Sequence, residues 1–238
     1  MSDKIGSIWT FGNTKGGVGK TSTCTNTATA LAQLGHSVCI INADPNNNTA
    51  GAGIWGEVRT ESIANGYELT PIDVKSIRGD IFDTVQLYSK KYDYVLVDTG
   101  GLDSTEFSAA AATSHLIIIP VECDVLDAKN ERMGFSAQPI KAMNEQIKRI
   151  TAANRNVKCV ALLNKVPTVP NSPRRKETKI YLNTLSHLKP LKNTISYYEN
   201  IYNEAASYGA GVVETKHTRA ASQYQLVVKE LITLDSGE

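Results

Sequence analysis

No apolar run in the sequence approaches the roughly eighteen residues that a membrane-spanning helix needs, so none is expected. No C-x-x-C pair occurs. The four cysteines, Cys24, Cys39, Cys123 and Cys159, stand far apart. That spacing argues against a disulfide framework or a zinc site and points to reduced, mostly buried thiols of a cytoplasmic protein. The opening residues, MSDKIGSIWTF, lack the long apolar segment and small-residue cleavage site of a secretory signal. Internal repeats, low-complexity tracts and long linkers are also missing. Net charge is nearly absent at +1, but it is unevenly placed. Residues 141–192 hold twelve Lys/Arg against two acids, Glu145 and Glu177, a local +10 that leaves −9 for the rest. Such asymmetry fits an anion-binding face, or simply a solvated charged one.

What is present is enough apolar matter for a core. Apolar residues make up 41% and charged residues 21% of 238, a composition that excludes wholesale disorder and suits a single α/β domain over 1–238. Strand and helix patterns alternate. Strands are expected at 5–11, 38–41, 94–97 (ending in Asp98), 116–119 (closed by Pro120) and 160–163 (ending at Asn164). Helices are expected at 21–34, 81–89, 127–150 with an interruption near Pro139, 176–188 and 223–231. Ala28, Leu31 and Leu34 share one helical face. The alternation predicts a doubly wound, mostly parallel sheet with helices on both faces, the P-loop NTPase class. Ligands are then expected at the carboxyl ends of the strands.

The loop between the first strand and helix reads Thr14-Lys15-Gly16-Gly17-Val18-Gly19-Lys20-Thr21. Its end fits the phosphate-loop pattern G-x-x-x-x-G-K-[ST], but Thr14 stands where that pattern has glycine, and Lys15 is an extra lysine. Three glycines let backbone N–H groups turn inward around phosphate oxygens, and the helix beginning near Lys20 points its positive end at the same place. Lys20 would reach the β- and γ-phosphates, and the Thr21 hydroxyl would hold Mg²⁺. Asp98, closing an apolar strand, has the placement of a Walker B aspartate that binds Mg²⁺ through water. Thr99-Gly100-Gly101 would follow as a flexible turn. Asp44, closing Ile41-Asn42-Ala43-Asp44-Pro45, either positions and activates an attacking water or caps a turn.

Lys15-Gly16-Gly17-Val18-Gly19-Lys20-Thr21, then Asp44-Pro45, then Asp98, resembles the deviant Walker A ATPases of the ParA/MinD type. The small plasmid-partition ParA proteins are the nearest in pattern. Their loop reads K-G-G-x-x-K-[ST], so Thr14 is no defect there, and Lys15 matches the signature lysine. Residues 116–121 and 208–214 resemble later family segments. The resemblance implies ATP and Mg²⁺ as cofactors, weak ATP hydrolysis, and a homodimer with two ATP molecules between its subunits. Lys15 would cross to the partner's phosphates and act in catalysis with Asp44. Gly16, Gly17, Val18, Gly19, Lys20, Thr21 and Ser22 would bind the nucleotide, and Asn164 would either contact adenine or be a satisfied loop residue. ATP-bound dimers of this kind bind DNA without sequence preference, here through Arg174, Arg175, Lys176 and Lys179. A ParB-like centromere-binding partner stimulates hydrolysis, and the protein is nucleoid-associated.

Three positions depart from the family's pattern: Asn42 replaces an acid, Asn46 replaces a glutamine, and Thr99-Gly100-Gly101 replaces x-Pro-Pro. The alternatives are a MinD-like membrane-associated or cargo-positioning regulator and a metabolic P-loop enzyme. The acidic end of the sequence disfavours an anionic membrane. The absence of cysteine in residues 99–112 disfavours an iron–sulfur reductase.

Overall fold

The computed structural model describes residues 5–44, 51–123, 137–168 and 172–237. Seven strands form one sheet: β1 (Ser7–Phe11), β2 (Val38–Ala43), β3 (Asp73–Ser76), β4 (Tyr94–Thr99), β5 (Leu116–Glu122), β6 (Lys158–Asn164) and β7 (Lys189–Pro190). Their order is β3-β2-β4-β1-β5-β6-β7, and every pairing is parallel. The helices described are α1 (Lys20–Gln33), α2 (Ala52–Ala64), α3 (Phe82–Ser89), α4 (Thr105–Thr113), α5 (Ala137–Ala153), α6 (Pro173–Asn183), α7 (Glu199–Ser207) and α8 (Thr218–Ser236), with a short 3₁₀ turn at Val212–Glu214.

The strands are apolar on both faces because both faces are covered, the condition for a parallel sheet. Alternation along each strand decides which side a residue serves. Trp9, Phe11, Ile40, Leu96, Ile118 and Leu162 pack towards α1, α2, α7 and α8. On the other side, Ile117, Ile119, Ala161 and Leu163 meet Phe107, Met143, Ile147 and Leu182, while Ile8, Cys39, Ile41 and Val95 meet Ile81 and Val85. All four cysteines are buried and free.

One buried ion pair ties α2 to the end of the chain. Arg59 and Glu214 side chains are 1% and 4% exposed. The Arg59 guanidinium donates to Glu214 at 2.5 and 2.9 Å, to the Gly209 carbonyl at 2.7 Å, and to the Thr70 carbonyl. Glu214 also accepts the Gly211 N–H at 2.9 Å. Every polar group of the pair has a partner, as buried charge requires.

Several expectations need correction. Pro120 does not close its strand. β5 runs on to Glu122, paired with β6 throughout, while β1 pairing ends at Phe11↔Ile118. The Pro120 carbonyl faces the β1 side, where it accepts from Asn13, so its missing N–H falls beyond the end of β1 and no ladder bond is lost. The helix expected at 176–188 starts at Pro173, a proline at its first turn, and stops at Asn183. Pro139 is the third residue of α5 and does not interrupt it. Residues 127–136 of that expected helix, and Pro45 and Asn46, lie outside the described residues. Leu34 is 51% exposed at the end of α1 and is no core residue, although Ala28 and Leu31 are fully buried.

Candidate functional site

The carboxyl ends of β1, β2, β4, β5 and β6 converge on the segment between Phe11 and Lys20. Gly17 and Gly19 take φ values of 76° and 90°, a region that side chains disfavour. A β-carbon at Gly19 would also sit 2.3 Å from Asn164 Nδ2, whereas one at Gly16 or Gly17 would meet nothing within 4 Å. That open space is where a ligand can approach the backbone. Asn13 braces the entry: its Nδ2 donates to the Pro120 carbonyl at 2.7 Å and its Oδ1 accepts the Lys15 N–H at 2.9 Å. Val18 is buried, and its carbonyl accepts Asn164 Nδ2 at 2.8 Å; the Gly17 carbonyl accepts Lys165 Nζ at 2.6 Å. In a trans peptide the C=O and N–H point opposite ways. Anchoring these two carbonyls therefore turns the N–H groups of Val18 and Gly19 away from Asn164 and Lys165. The first turn of α1 has neither a side-chain cap nor an acidic residue, so its free N–H groups and dipole await an anion.

Thr21 Oγ1 donates to Asp98 Oδ2 at 2.8 Å. Asp98 is fully buried, and its pKa is pushed up from 3.8 to about 7. Burial is the main cause, with the nearby Asp44 charge adding to it, while the Thr21 hydroxyl and Lys20 pull the other way. Its second oxygen, Oδ1, is buried without a hydrogen-bond partner, and so is Oδ1 of Asn42. These two residues are register partners on β2 and β4. Asn42 Nδ2 is already committed to Ser76 Oγ at 3.0 Å. Two buried acceptors side by side, each lacking a donor, suit a hydrated cation whose waters supply the protons. Among the described residues no cluster of three His, Cys, Asp or Glu could cage a metal directly. Asp44 follows β2, and its carbonyl accepts Arg78 Nη1 at 2.5 Å.

Lys15 and Lys20 have different surroundings. Lys20 opens α1 close enough to Asp98 to act on its charge. Lys15 is 43% exposed at the rim, and its Nζ lies 2.8 Å from Glu122 Oε2. The other Glu122 oxygen is 3.1 Å from Lys165 Nζ. Burial alone would raise the Glu122 pKa, but Lys15 and Lys165 outweigh it and hold the carboxyl below its usual value. Asn164 Nδ2 donates to the Val18 carbonyl, so the residue braces the loop from the end of β6. It lines, with Gly19, Ser22, Lys165, Tyr197 and Asn203, a cleft of about 260 Å³ beside the loop.

Arg174, Arg175 and Lys176 are exposed in the first turn of α6. Lys179 is not equivalent to them. Its Nζ donates to the Lys192 carbonyl at 2.6 Å, and burial, then Arg175, lower its pKa.

Glu122, Lys165, Asn13 and Arg78 were missed in the sequence. Lys165 alone left a trace, as the residue after a strand-ending Asn.

A profile of the family described as CobQ/CobB/MinD/ParA nucleotide binding domain matches residues 9–209. The chain belongs to this nucleotide-binding family. A ParA family protein of Mycoplasma genitalium is 24% identical to it, over 95% of this chain and 97% of that protein. The chromosome-partitioning ATPase Soj of Thermus thermophilus is 30% identical over 132 residues, 47% of this chain and 53% of that protein. Among solved structures, the ATP complex of Cyanothece McdA superimposes with a TM-score of 0.70 at 16% identity, covering 96% of this chain and 97% of that one. The Mycobacterium smegmatis cobyrinic acid a,c-diamide synthase with bound ATP analog and magnesium gives 0.71 at 16%, covering 98% and 97%. The fold is that of the ParA/MinD P-loop NTPases.

Proposed function

We propose that this family member is a DNA-partition ATPase. ATP drives a nucleotide-sandwich homodimer, the dimer binds DNA without sequence preference, and a ParB-like centromere-binding partner stimulates the hydrolysis that releases it. The observation that carries the reading is the different placement of two lysines. Lys20 opens α1 near the buried Asp98, while Lys15 stands on the exposed rim, held by Glu122. A cation so placed suits a neighbouring subunit's phosphates, and its arrival only on dimerisation would couple transition-state charge stabilisation to assembly.

Within one protomer, Gly16, Gly17, Val18, Gly19, Lys20, Thr21 and Ser22 would hold the nucleotide. Thr21 and the water-mediated Asp98 would hold Mg²⁺, with Asn42 Oδ1 accepting from a metal-bound water. The bound ion would neutralise charge developing on the phosphates. Asp44 would orient the attacking water. Relatives named ParA and Soj support the partition role. The first turn of α6 supports the DNA role: it has no acid, and three cations crowd a helix end whose dipole already disfavours them. DNA phosphates would relieve both, giving salt-sensitive, sequence-tolerant binding.

The test is retention on random-sequence DNA with Mg–ATP, Mg–ADP or no nucleotide. Retention with ATP only is expected. Retention that ignored the nucleotide, or ATP-dependent amidation of a small carboxylic acid without DNA binding, would overturn the reading.

A further inference from the structure

Glu122 touches neither the loop glycines nor the cation pocket, yet it contacts two lysines from distant parts of the chain. It is the last residue of β5, in register with Asn164 of β6. One carboxylate oxygen takes Lys15 at 2.8 Å and the other takes Lys165 at 3.1 Å. The two ammonium groups are not held equally. Lys165 also donates to the Gly17 carbonyl at 2.6 Å and lies 5.8 Å from the centre of the Tyr197 ring. It is the one non-glycine residue with positive φ among those described, at 51°, a conformation held by its surroundings rather than by its own preference. Lys15 is the more exposed of the two lysines, 43% against 35%.

We propose that Glu122 is a positioning residue that stows Lys15 against its own subunit until the phosphates of the facing subunit's nucleotide draw it away. The inference rests on the dimer reading above and adds a gate to it. One carboxylate between two ammonium groups leaves a surplus positive charge. Lys15 can therefore leave while Lys165 stays to neutralise Glu122, and no half-buried carboxylate is stranded without a counter-ion. A triphosphate with its several charges is the stronger attractor, whereas a lone protomer offers Lys15 only the carboxylate. Glu122 would thus set how much nucleotide-bound protein is needed before dimers form.

Glu122→Gln keeps the size and the acceptor but removes the charge. An ion pair this exposed is worth up to about fivefold in an equilibrium constant. Each dimer frees two such lysines, so the Glu122→Gln dimerisation constant should be up to about twenty-five-fold tighter. Sedimentation with Mg²⁺ and a non-hydrolysable ATP analog measures it. Monomer affinity for Mg–ADP should stay as it is, because Lys165 keeps its bond to Gly17. In nucleotide-free protein, acetic anhydride should label Lys15 faster in Glu122→Gln than in the wild type, read by peptide mass spectrometry, with Lys20 labelling unchanged. If both proteins dimerise with the same constant, or Lys15 labels equally in both, the proposal falls and the dimer reading stands. If neither dimerises, the dimer reading falls and takes this proposal with it.

Discussion

The carboxylate of Asp98 works against folding in the ligand-free protein, and replacing it with asparagine should expose the cost. The Asp98→Asn change keeps the shape and an acceptor for the Thr21 hydroxyl but removes the ionisable group. Asp98 titrates near 3.8 when exposed and at about 7 in the fold. A raised carboxyl pKa means that the folded state holds its proton where the unfolded chain has lost it. Stability from this group is therefore greatest at low pH, declines as pH rises from about 4 to about 7, and levels off above that, a total of about 4 kcal/mol. Between pH 5 and pH 8 the share lost is about 2.5 kcal/mol. Any fixed penalty for burying the variant's amide is the same at both pH values, so the pH dependence isolates the charge. Urea unfolding of both proteins in EDTA at pH 5 and pH 8 is the assay. The advantage of Asp98→Asn over the wild type should grow by about 2.5 kcal/mol across that interval. An advantage that stayed constant or shrank would refute the buried-charge account. Mg²⁺ with nucleotide should reverse the pH trend in the wild type, stabilising it more at pH 8 than at pH 5, whereas its effect on the variant should lack that pH dependence.

Lys20→Ala should weaken nucleotide binding about fiftyfold, from the loss of charge-assisted hydrogen bonds to phosphate, by calorimetry. Lys15→Ala should bind nucleotide but remain monomeric with Mg–ATP on sizing; an ATP-dependent Lys15→Ala dimer with full hydrolysis would remove the crossing lysine from the mechanism. Arg59→Met should lower unfolding free energy by about 3–5 kcal/mol, because it leaves Glu214 buried and uncompensated, and adding Glu214→Gln should restore much of that in urea titrations. Replacing Arg174, Arg175 and Lys176 with alanine should flatten the dependence of log affinity for DNA on log salt by about 0.9 per lost phosphate contact, whatever the DNA sequence.

The strands and the phosphate loop were legible because their signals are local. Apolar runs such as Tyr94-Val95-Leu96-Val97 end in the polar residue that serves the site, and a lysine-threonine step after three glycines has few other uses. The end of β5 was not legible: whether Pro120 breaks a strand depends on where its neighbour β1 stops, and no window of sequence contains both. The same limit hid Glu122, which lies 107 positions from Lys15. Asn164 could be placed at a strand end, but its bond to the Val18 carbonyl, 146 positions away, could not be read. The four basic residues of α6 read as one patch, yet the helical turn points Lys179 back towards Lys192 and leaves the other three exposed. Helices α2 and α4 carry weak periodicity and owe their form to the sheet they cover.

The strand order also sets a timetable for making the protein. β1 pairs with β4 and β5 and with no earlier strand, so Trp9 and Phe11, both fully buried at the end, leave the ribosome long before either neighbour exists. At typical synthesis rates the wait for Tyr94 is on the order of ten seconds. Until then the phosphate loop has nothing to hang from, since its braces at Pro120 and Asn164 come later still. The candidate site is thus among the last features of the chain to form, and a nascent protein must shelter Trp9 and Phe11 until β4 and β5 arrive.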